Sequence, residues 1–354
     1  MAMTRRARLA LASALFLPAI AAAQSRCAPP GPVPTMPDTI SPAAAAAYEQ
    51  IAARRTAAPA GSMPTTMAEW DARHAAMEER VERRAASVAK SLGVTITPVT
   101  LASVPALKVA PADSDPKRIL IYVHGGGFTL FSAKSTVNMA ALMATKASMT
   151  VYSIDYTVAP HAQWRTVTDQ VIATYKALIA EGRAPADIGM FGDSAGASII
   201  GGSVLKLRDA GVPMPGALVL QSPWSDVTDS GDTYCTLASA DPVLSLAPLT
   251  ASAAAYAPIA EQKSHYVSPV YGDYTKGFPP TLVQGGTREM LLSNFVRQYQ
   301  AIAQAGGTAV LDLYEGMPHV FQSSMAGSPE SDAAFAAAKR FWSAHLGKRI
   351  DSRR

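Results

Sequence analysis

Residues 190–197 read Met190-Phe191-Gly192-Asp193-Ser194-Ala195-Gly196-Ala197, and the reading of this stretch decides the fold. Its centre, Gly192–Gly196, is a G-x-S-x-G pentad between a short apolar run, Ile188–Phe191, and a helical pattern of small and apolar residues, Ala195–Ala210. A serine on a sharp strand-to-helix turn has its hydroxyl pushed clear of the sheet, where a base can reach it. The flanking glycines suit a strained turn with little room for side chains. Taken alone, the pentad also fits a glycine-rich turn that cradles phosphate, so its meaning depends on the rest of the chain.

Outward from the pentad, the chain alternates short apolar runs with helical patterns. The runs are Ile119–Val123, Thr150–Ile154, Ile188–Phe191, Ala217–Gln221, Thr281–Val283 and Ala309–Tyr314. Helical periodicity fills Val137–Lys146, Val167–Glu181, Ala195–Ala210, Leu291–Ala305 and Pro329–Leu346. This alternation predicts an α/β fold whose mostly parallel sheet is covered by helices on both faces. Ahead of it, Val94–Val99 and Leu101–Val109 alternate as edge or hairpin strands do. The stretch Ser225–Tyr271 breaks the rhythm with several prolines and no clear strand. It predicts a helical insert over the carboxyl edge of the sheet, where open α/β sheets bind ligands.

The N-terminal part is different in character. Ala28–Pro42 is Pro-rich and irregular, Pro42–Arg55 is Ala-rich, and Thr65–Leu92 is a charged helix ending at Gly93. Trp70, His74, Met77, Val81 and Val88 form its apolar stripe, so His74 is read as a packing residue. Residues 24–93 are therefore expected to be an irregular and helical segment contributing to a cap. Residues 94–349 are expected to form the main domain, with the insert at about 225–271.

Residues 1–23 have the form of a secretory signal peptide: Arg5, Arg6 and Arg8, an apolar run Leu9–Ile20, and Ala21-Ala22-Ala23 before Gln24. The apolar run is too short to span a bilayer. Cleavage near Ala23-Gln24 predicts a secreted or periplasmic protein with no stable membrane anchor. Thr4-Arg5-Arg6 hints at a twin-arginine signal, while Arg26 argues against lipidation of Cys27. Removing three arginines and no acids lowers the formal charge from +4 to +1, so nothing in the charge points to nucleic acid. Cys27 and Cys235 are the two cysteines of the 354-residue chain. Whether they pair stays open at this level, as does the choice between monomer and homodimer.

Two further signals give the pentad chemistry. His124-Gly125-Gly126-Gly127 follows the run Ile119–Val123 directly. Consecutive glycines let backbone N–H groups approach a substrate carbonyl, the arrangement that an oxyanion in acyl transfer needs. No G-x-x-x-x-G-K-[ST] or helix-opening G-x-G-x-x-G is present to support a phosphate loop. Downstream, Thr287-Arg288-Glu289-Met290-Leu291 follows Thr281–Val283, and Gly316-Met317-Pro318-His319-Val320-Phe321 follows Leu311–Tyr314. Serine, acid and histidine thus occur in the order an α/β-hydrolase uses. Of six histidines, His124 belongs to the glycine motif, His74 and His345 sit in helical segments, and His161 and His265 lie in loops without matched partners. His319 is the best candidate base.

Together, His124–Gly127, Asp155-Tyr156, Ala159-Pro160 and the Gly192–Gly196 pentad resemble the hormone-sensitive-lipase-like branch of the α/β hydrolases, nearest its bacterial carboxylesterases. The resemblance covers roughly residues 95–345. It implies an α/β-hydrolase fold with a helical cap, Ser194 as nucleophile, and His319 as general base. It also implies an oxyanion hole formed by Gly126, Gly127 and Ala195. Relatives often carry Asp in a G-x-x-D-x-L stretch, where this chain has Gly286-Thr287-Arg288-Glu289-Met290-Leu291. Glu289 falls on the acid position, and it outranks Asp312, within a strand, and Asp273, before it. His161 stands after Ala159-Pro160 where the family tends to have Glu, a segment expected to brace the oxyanion loop. Asp193 is expected to buttress the elbow.

These residues predict a serine carboxylesterase acting on short- to medium-chain esters through an acyl-enzyme, with a small-molecule ester as its partner. Lactone hydrolysis and amide or peptide hydrolysis use the same machinery, and a ligand receptor that kept the fold is a further alternative. No metal or organic cofactor is implied, since H-E-x-x-H and Cys/His clusters are missing. Trp70, Trp224, Tyr234 and Tyr256 fit either an apolar pocket or the core of the cap.

Overall fold

A computed structural model describes Cys27, residues 32–57 and residues 62–348. The expected signal peptide, residues 1–23, lies outside the described residues. The centre of the molecule is an eight-stranded sheet in the order β1-β2-β4-β3-β5-β6-β7-β8. The strands are β1 (Thr95–Leu101), β2 (Val104–Ala110), β3 (Asp115–Val123), β4 (Met149–Ile154), β5 (Ile188–Asp193), β6 (Ala217–Gln221), β7 (Thr281–Gly286) and β8 (Ala309–Tyr314). The first two form a hairpin whose second strand joins β4 antiparallel, and β3 to β8 pair parallel.

The parallel strands β4, β5, β6 and β7 are buried along their whole length, and β3 over its last five residues. Strands covered on both faces read as continuous apolar runs rather than as alternation. Two clusters cover them. On one face Val171, Tyr175, Ile199 and Leu205 pack over Ile121, Met190 and Leu220. On the other, Met139, Met143, Phe335 and Trp342 cover Leu120, Phe191 and Val219. The covering helices are Val137–Ala147, Trp164–Ala180, Ala195–Asp209, Leu292–Gln304 and Pro329–His345. β8, at the edge, leaves Val310 and Leu313 exposed and the rest of its length half-buried.

Upstream, the helix Pro42–Ala57 packs Ala44 and Tyr48 against Met317, Phe321 and Ala334. The helix Met67–Ser91 starts in a capping box, in which the Thr66 hydroxyl accepts from Glu69 N and the Glu69 carboxylate accepts from Thr66 N. Of its expected stripe Trp70 is buried and His74, Met77, Val81 and Val88 are half-buried, while Ala85 and Ala89, outside that stripe, are buried as well. His74 Nε2 lies 3.1 Å from Phe131 O. The segment 225–271 contains the helices Thr233–Thr236 and Leu246–Tyr256 and no strand. Cys27 and Cys235 form a disulfide, settling the pairing the sequence leaves open. Among the described residues, no helix is long and apolar enough to cross a membrane.

Candidate active site

The pentad sits where β5 turns into the helix Ala195–Asp209. Ser194 has φ 53° and ψ −122°, a backbone region that side chains rarely occupy. Main-chain bonds hold it there: Ser194 N donates to Gln221 O at 2.9 Å, and Trp224 N donates to Ser194 O at 3.1 Å. A side chain at Gly192 would meet Val123 O at 2.7 Å, and one at Gly196 would collide with Val123 O and His124 O. The pentad glycines are therefore demanded by β3 passing underneath the turn.

Three strand ends converge on this serine. His319, on the loop after β8, has Nε2 2.9 Å from Ser194 Oγ. Its Nδ1 lies 2.7 Å from Oε2 of Glu289, on the loop after β7. All three residues are buried. A carboxylate only accepts, so Nδ1 carries the proton and Nε2 presents a lone pair toward the hydroxyl. Burial pulls the His319 pKa down, but the hydrogen bond and charge of Glu289 outweigh it and leave the imidazole above its ordinary value. The other Glu289 oxygen, Oε1, accepts from Ser222 Oγ at 2.8 Å and from Gly286 N at 2.5 Å.

The acid and base loops are also tied to each other. Thr287 N donates to Tyr314 O at 3.0 Å, Arg288 N to Met317 O at 3.2 Å, and Gly316 N to Thr287 Oγ1 at 2.9 Å. The buried Arg288 guanidinium donates to Pro34 O at 3.0 Å and to Thr35 O, and stacks over the Tyr48 ring. Part of the N-terminal segment thus backs the acid and base loops.

On the other side of Ser194, the loop after β3 carries the glycine motif. Gly126 and Gly127 have φ +104° and +59°, and a side chain at Gly126 would meet Phe131 Cδ2 at 2.7 Å. Phe128 and Phe131 also hold positive φ, so the loop is strained beyond its glycines. Gly125 N donates to Asp193 Oδ1 at 3.2 Å, and Tyr122 donates to the same oxygen at 2.6 Å. Burial raises the Asp193 pKa, and the Tyr122 hydrogen bond opposes that rise. This is the buttress expected of Asp193. Ala195 is the first residue of its helix, a position whose N–H has no intrahelical acceptor.

The Asp155–Pro160 stretch braces this loop as expected. Tyr156 donates to His124 O at 2.9 Å and stacks on the His124 ring, while Ala159 N donates to Phe128 O at 2.8 Å. Two histidines need correction. His161 Nε2 lies 2.5 Å from Asp71 Oδ1 and His265 Nε2 lies 3.4 Å from Asp209 Oδ2, so both have carboxylate partners at the surface. Those partners are distant in sequence, beyond the reach of local pattern. Trp224, Tyr234 and Tyr256 are fully buried, with Trp224 Nε1 donating to Tyr234 Oη at 3.1 Å and Tyr256 stacked 3.8 Å over Phe128. Trp70 is also buried. Asp312 bonds Gln284 and Tyr314, and Asp273 caps Thr275, so neither joins the His319 cluster. Ser222, Tyr122 and Arg288 were not singled out by sequence, because nothing local marks them as neighbours of the site.

A parallel sheet with a strained serine after its fifth strand, and an acid and a histidine on the loops after the seventh and eighth, defines the α/β-hydrolase class. A family model for the α/β-hydrolase fold matches residues 120–323, and the chain belongs to that family, in its hormone-sensitive-lipase-like branch. It is 31% identical over 275 residues to an acetyl-hydrolase of Streptomyces hygroscopicus, covering 77% of this chain and 91% of that one. The crystal structure of esterase E25 is similar with 31% identity and a TM-score of 0.81, over 89% of this chain and 98% of that one. An esterase of the bacterial hormone-sensitive lipase family is similar with 28% identity and a TM-score of 0.76, over 87% and 99% of the two chains.

Proposed function

We propose that this carboxylic ester hydrolase is a serine carboxylesterase in which Ser194 is the nucleophile, His319 the general base and Glu289 the acid that orients it. The observation that carries the reading is His319 lying between Ser194 Oγ at 2.9 Å and Glu289 Oε2 at 2.7 Å. As Ser194 Oγ attacks the ester carbonyl carbon, its proton passes to His319 Nε2. Glu289 stabilises the imidazolium that forms, without taking the proton itself. The carbonyl oxygen becomes an anion, and the N–H groups of Gly126, Gly127 and Ala195 receive it. His319 then gives its proton to the departing alkoxide, leaving an acyl-Ser194. Water, deprotonated by His319, attacks the acyl carbon, the bond to Ser194 Oγ breaks, and His319 returns the proton to that oxygen as the acid is released.

The substrate class we propose is short- to medium-chain esters. Esterase and acetyl-hydrolase relatives support it. The insert 225–271 is proposed as a cap with the N-terminal helices, supported by Tyr256 over Phe128 and by Ser252 Oγ 3.4 Å from Thr129 Oγ1. Export is proposed from the composition of residues 1–23. The Cys27–Cys235 disulfide supports it, because such bonds persist in oxidising compartments.

The test is a hydrolysis panel of aryl esters of increasing acyl length, with a lactone and an anilide, run beside Ser194→Ala and organophosphonate labelling. Ester turnover lost by about 10⁴–10⁶ in kcat in the variant, with labelling of Ser194, is the expected result. A Ser194→Ala protein that keeps most of its activity refutes the nucleophile. Preference for the lactone or the anilide would refute the substrate class alone.

A further inference from the structure

The end of β6 and its short connection to the insert, Gln221–Trp224, bond Ser194 and Glu289 of the proposed triad and the residue after His319. Gln221 O and Trp224 N bond the main chain of Ser194 from either side. Between them, Ser222 Oγ donates to Glu289 Oε1 at 2.8 Å and accepts from the N–H of Val320, the residue after His319, at 3.1 Å. Ser222 N donates to Gln284 O at 2.6 Å, so the residue is fastened at the end of β7 as well. It is fully buried and has φ 48°, a conformation that glycine adopts freely and serine does not. The hydroxyl's direction is not in question: the amide can only donate and the carboxylate can only accept.

We infer that Ser222 is a positioning residue of the esterase reaction, its hydroxyl holding the acid and the base loop at one fixed spacing. The inference rests on the triad reading above. A carboxyl group turns easily about its last torsion, which has broad, roughly two-fold wells. Ser222 and Gly286 N hold Oε1, and that leaves Oε2 facing His319 Nδ1. Without the hydroxyl one of the two anchors on Oε1 is gone, and the Val320 N–H loses its acceptor. The acid and base loops then share one fewer link at the atoms that matter. A misplacement of about 1 Å in a catalytic geometry can cost about 100-fold.

Two variants separate the hydroxyl from the strained backbone. Ser222→Ala removes the hydroxyl and keeps a side chain at φ 48°, while Ser222→Gly removes it and relieves the strain. Both are expected to lose about 10- to 100-fold in kcat with KM nearly unchanged, the scale of one hydrogen bond to a charged group. The low-field proton NMR signal of a His319 Nδ1–H held by Glu289 is expected to weaken or move in both. A merely structural role would lower thermal stability and leave that signal in place. Ser222→Gly with wild-type kcat and an unmoved signal overturns the inference. So does loss of activity in Ser222→Ala alone, which would assign the effect to the backbone. Activity retained by Ser194→Ala is a different failure, that of the triad reading itself.

Discussion

Replacing Glu289 by glutamine tests the site more sharply than deleting it, because the structure dictates how the amide must lie. Oε1 receives two donors, Ser222 Oγ–H and Gly286 N–H. The serine hydroxyl can turn, but the Gly286 amide cannot, so the oxygen of the new side-chain amide has to occupy that side. Its NH₂ group is then forced against His319 Nδ1, 2.7 Å from the carboxylate in the native protein. Two donors cannot face each other at that distance, so Nδ1 must become the acceptor and the proton moves to Nε2. The face toward Ser194 then carries an N–H instead of a lone pair, and the base can no longer take the serine proton.

Two magnitudes compete in Glu289→Gln. Loss of one charge-assisted hydrogen bond costs about 1.5–3 kcal/mol, or roughly 10- to 150-fold. An amide that locks the wrong tautomer lowers kcat by about 10⁴, or about 5.5 kcal/mol. The second applies here, because the Gly286 N–H removes the alternative orientation. The assay is kcat and KM for an aryl acetate, with circular dichroism to show that the isosteric variant is folded. Glu289→Asp, whose carboxylate withdraws by about one C–C bond of 1.5 Å but keeps its charge, is expected to lose less. A folded Glu289→Gln protein within 100-fold of wild type would refute the argument.

The pH profile follows from His319. Its pKa is raised in the folded protein, and the proposed base role needs the neutral imidazole. Thus kcat/KM should rise through a limb above the ordinary histidine value of about 6.5, and a limb below it would contradict the Glu289 pairing. Gly196→Ala should destabilise the protein by roughly 1–3 kcal/mol or more in urea unfolding, because its new methyl collides with two carbonyl oxygens of the β3 end. Wild-type stability in that variant would show that the elbow has more room than the geometry allows. The Cys27–Cys235 bond closes a loop across a sequence separation of 208. Cys235→Ser should therefore cost about 2–5 kcal/mol of unfolding free energy, and an unchanged denaturant midpoint would count against it.

What could be read from the sequence follows from which interactions are local. The strands β4 to β7 carry their own signal, since burial on both faces demands uninterrupted apolar runs. The small departures lie at the ends. The run Ile188–Phe191 continues to Asp193, and Thr281–Val283 extends to Gly286, because polar and glycine residues join the ladder without apolar character. The second hairpin strand begins at Val104 rather than Leu101, since Ala102 and Ser103 form the turn with positive φ. Trp164 opens its helix ahead of the periodic stretch that starts at Val167, tied by its indole to Glu261 in the insert. That bond, the pairs of His161 and His265, and Ser222 beneath Glu289 all join residues far apart in the chain. No spacing rule announces them.

The position of the acid shows how little freedom such a site has. Gly285 and Gly286 lie at the end of β7, and side chains there would collide with the Phe295 ring and with Met317 O. The acid loop can therefore lie directly on the base loop, where main-chain bonds from Thr287 to Tyr314 and from Arg288 to Met317 fix their relative height. At that height a longer carboxylate fits between Gly286 N and His319 Nδ1, touching both. A shorter aspartate in the same loop would reach one partner only by releasing the other. Glutamate at 289 is thus matched to the backbone around it, and the loop and the side chain have to be changed together to move the acid without losing the base.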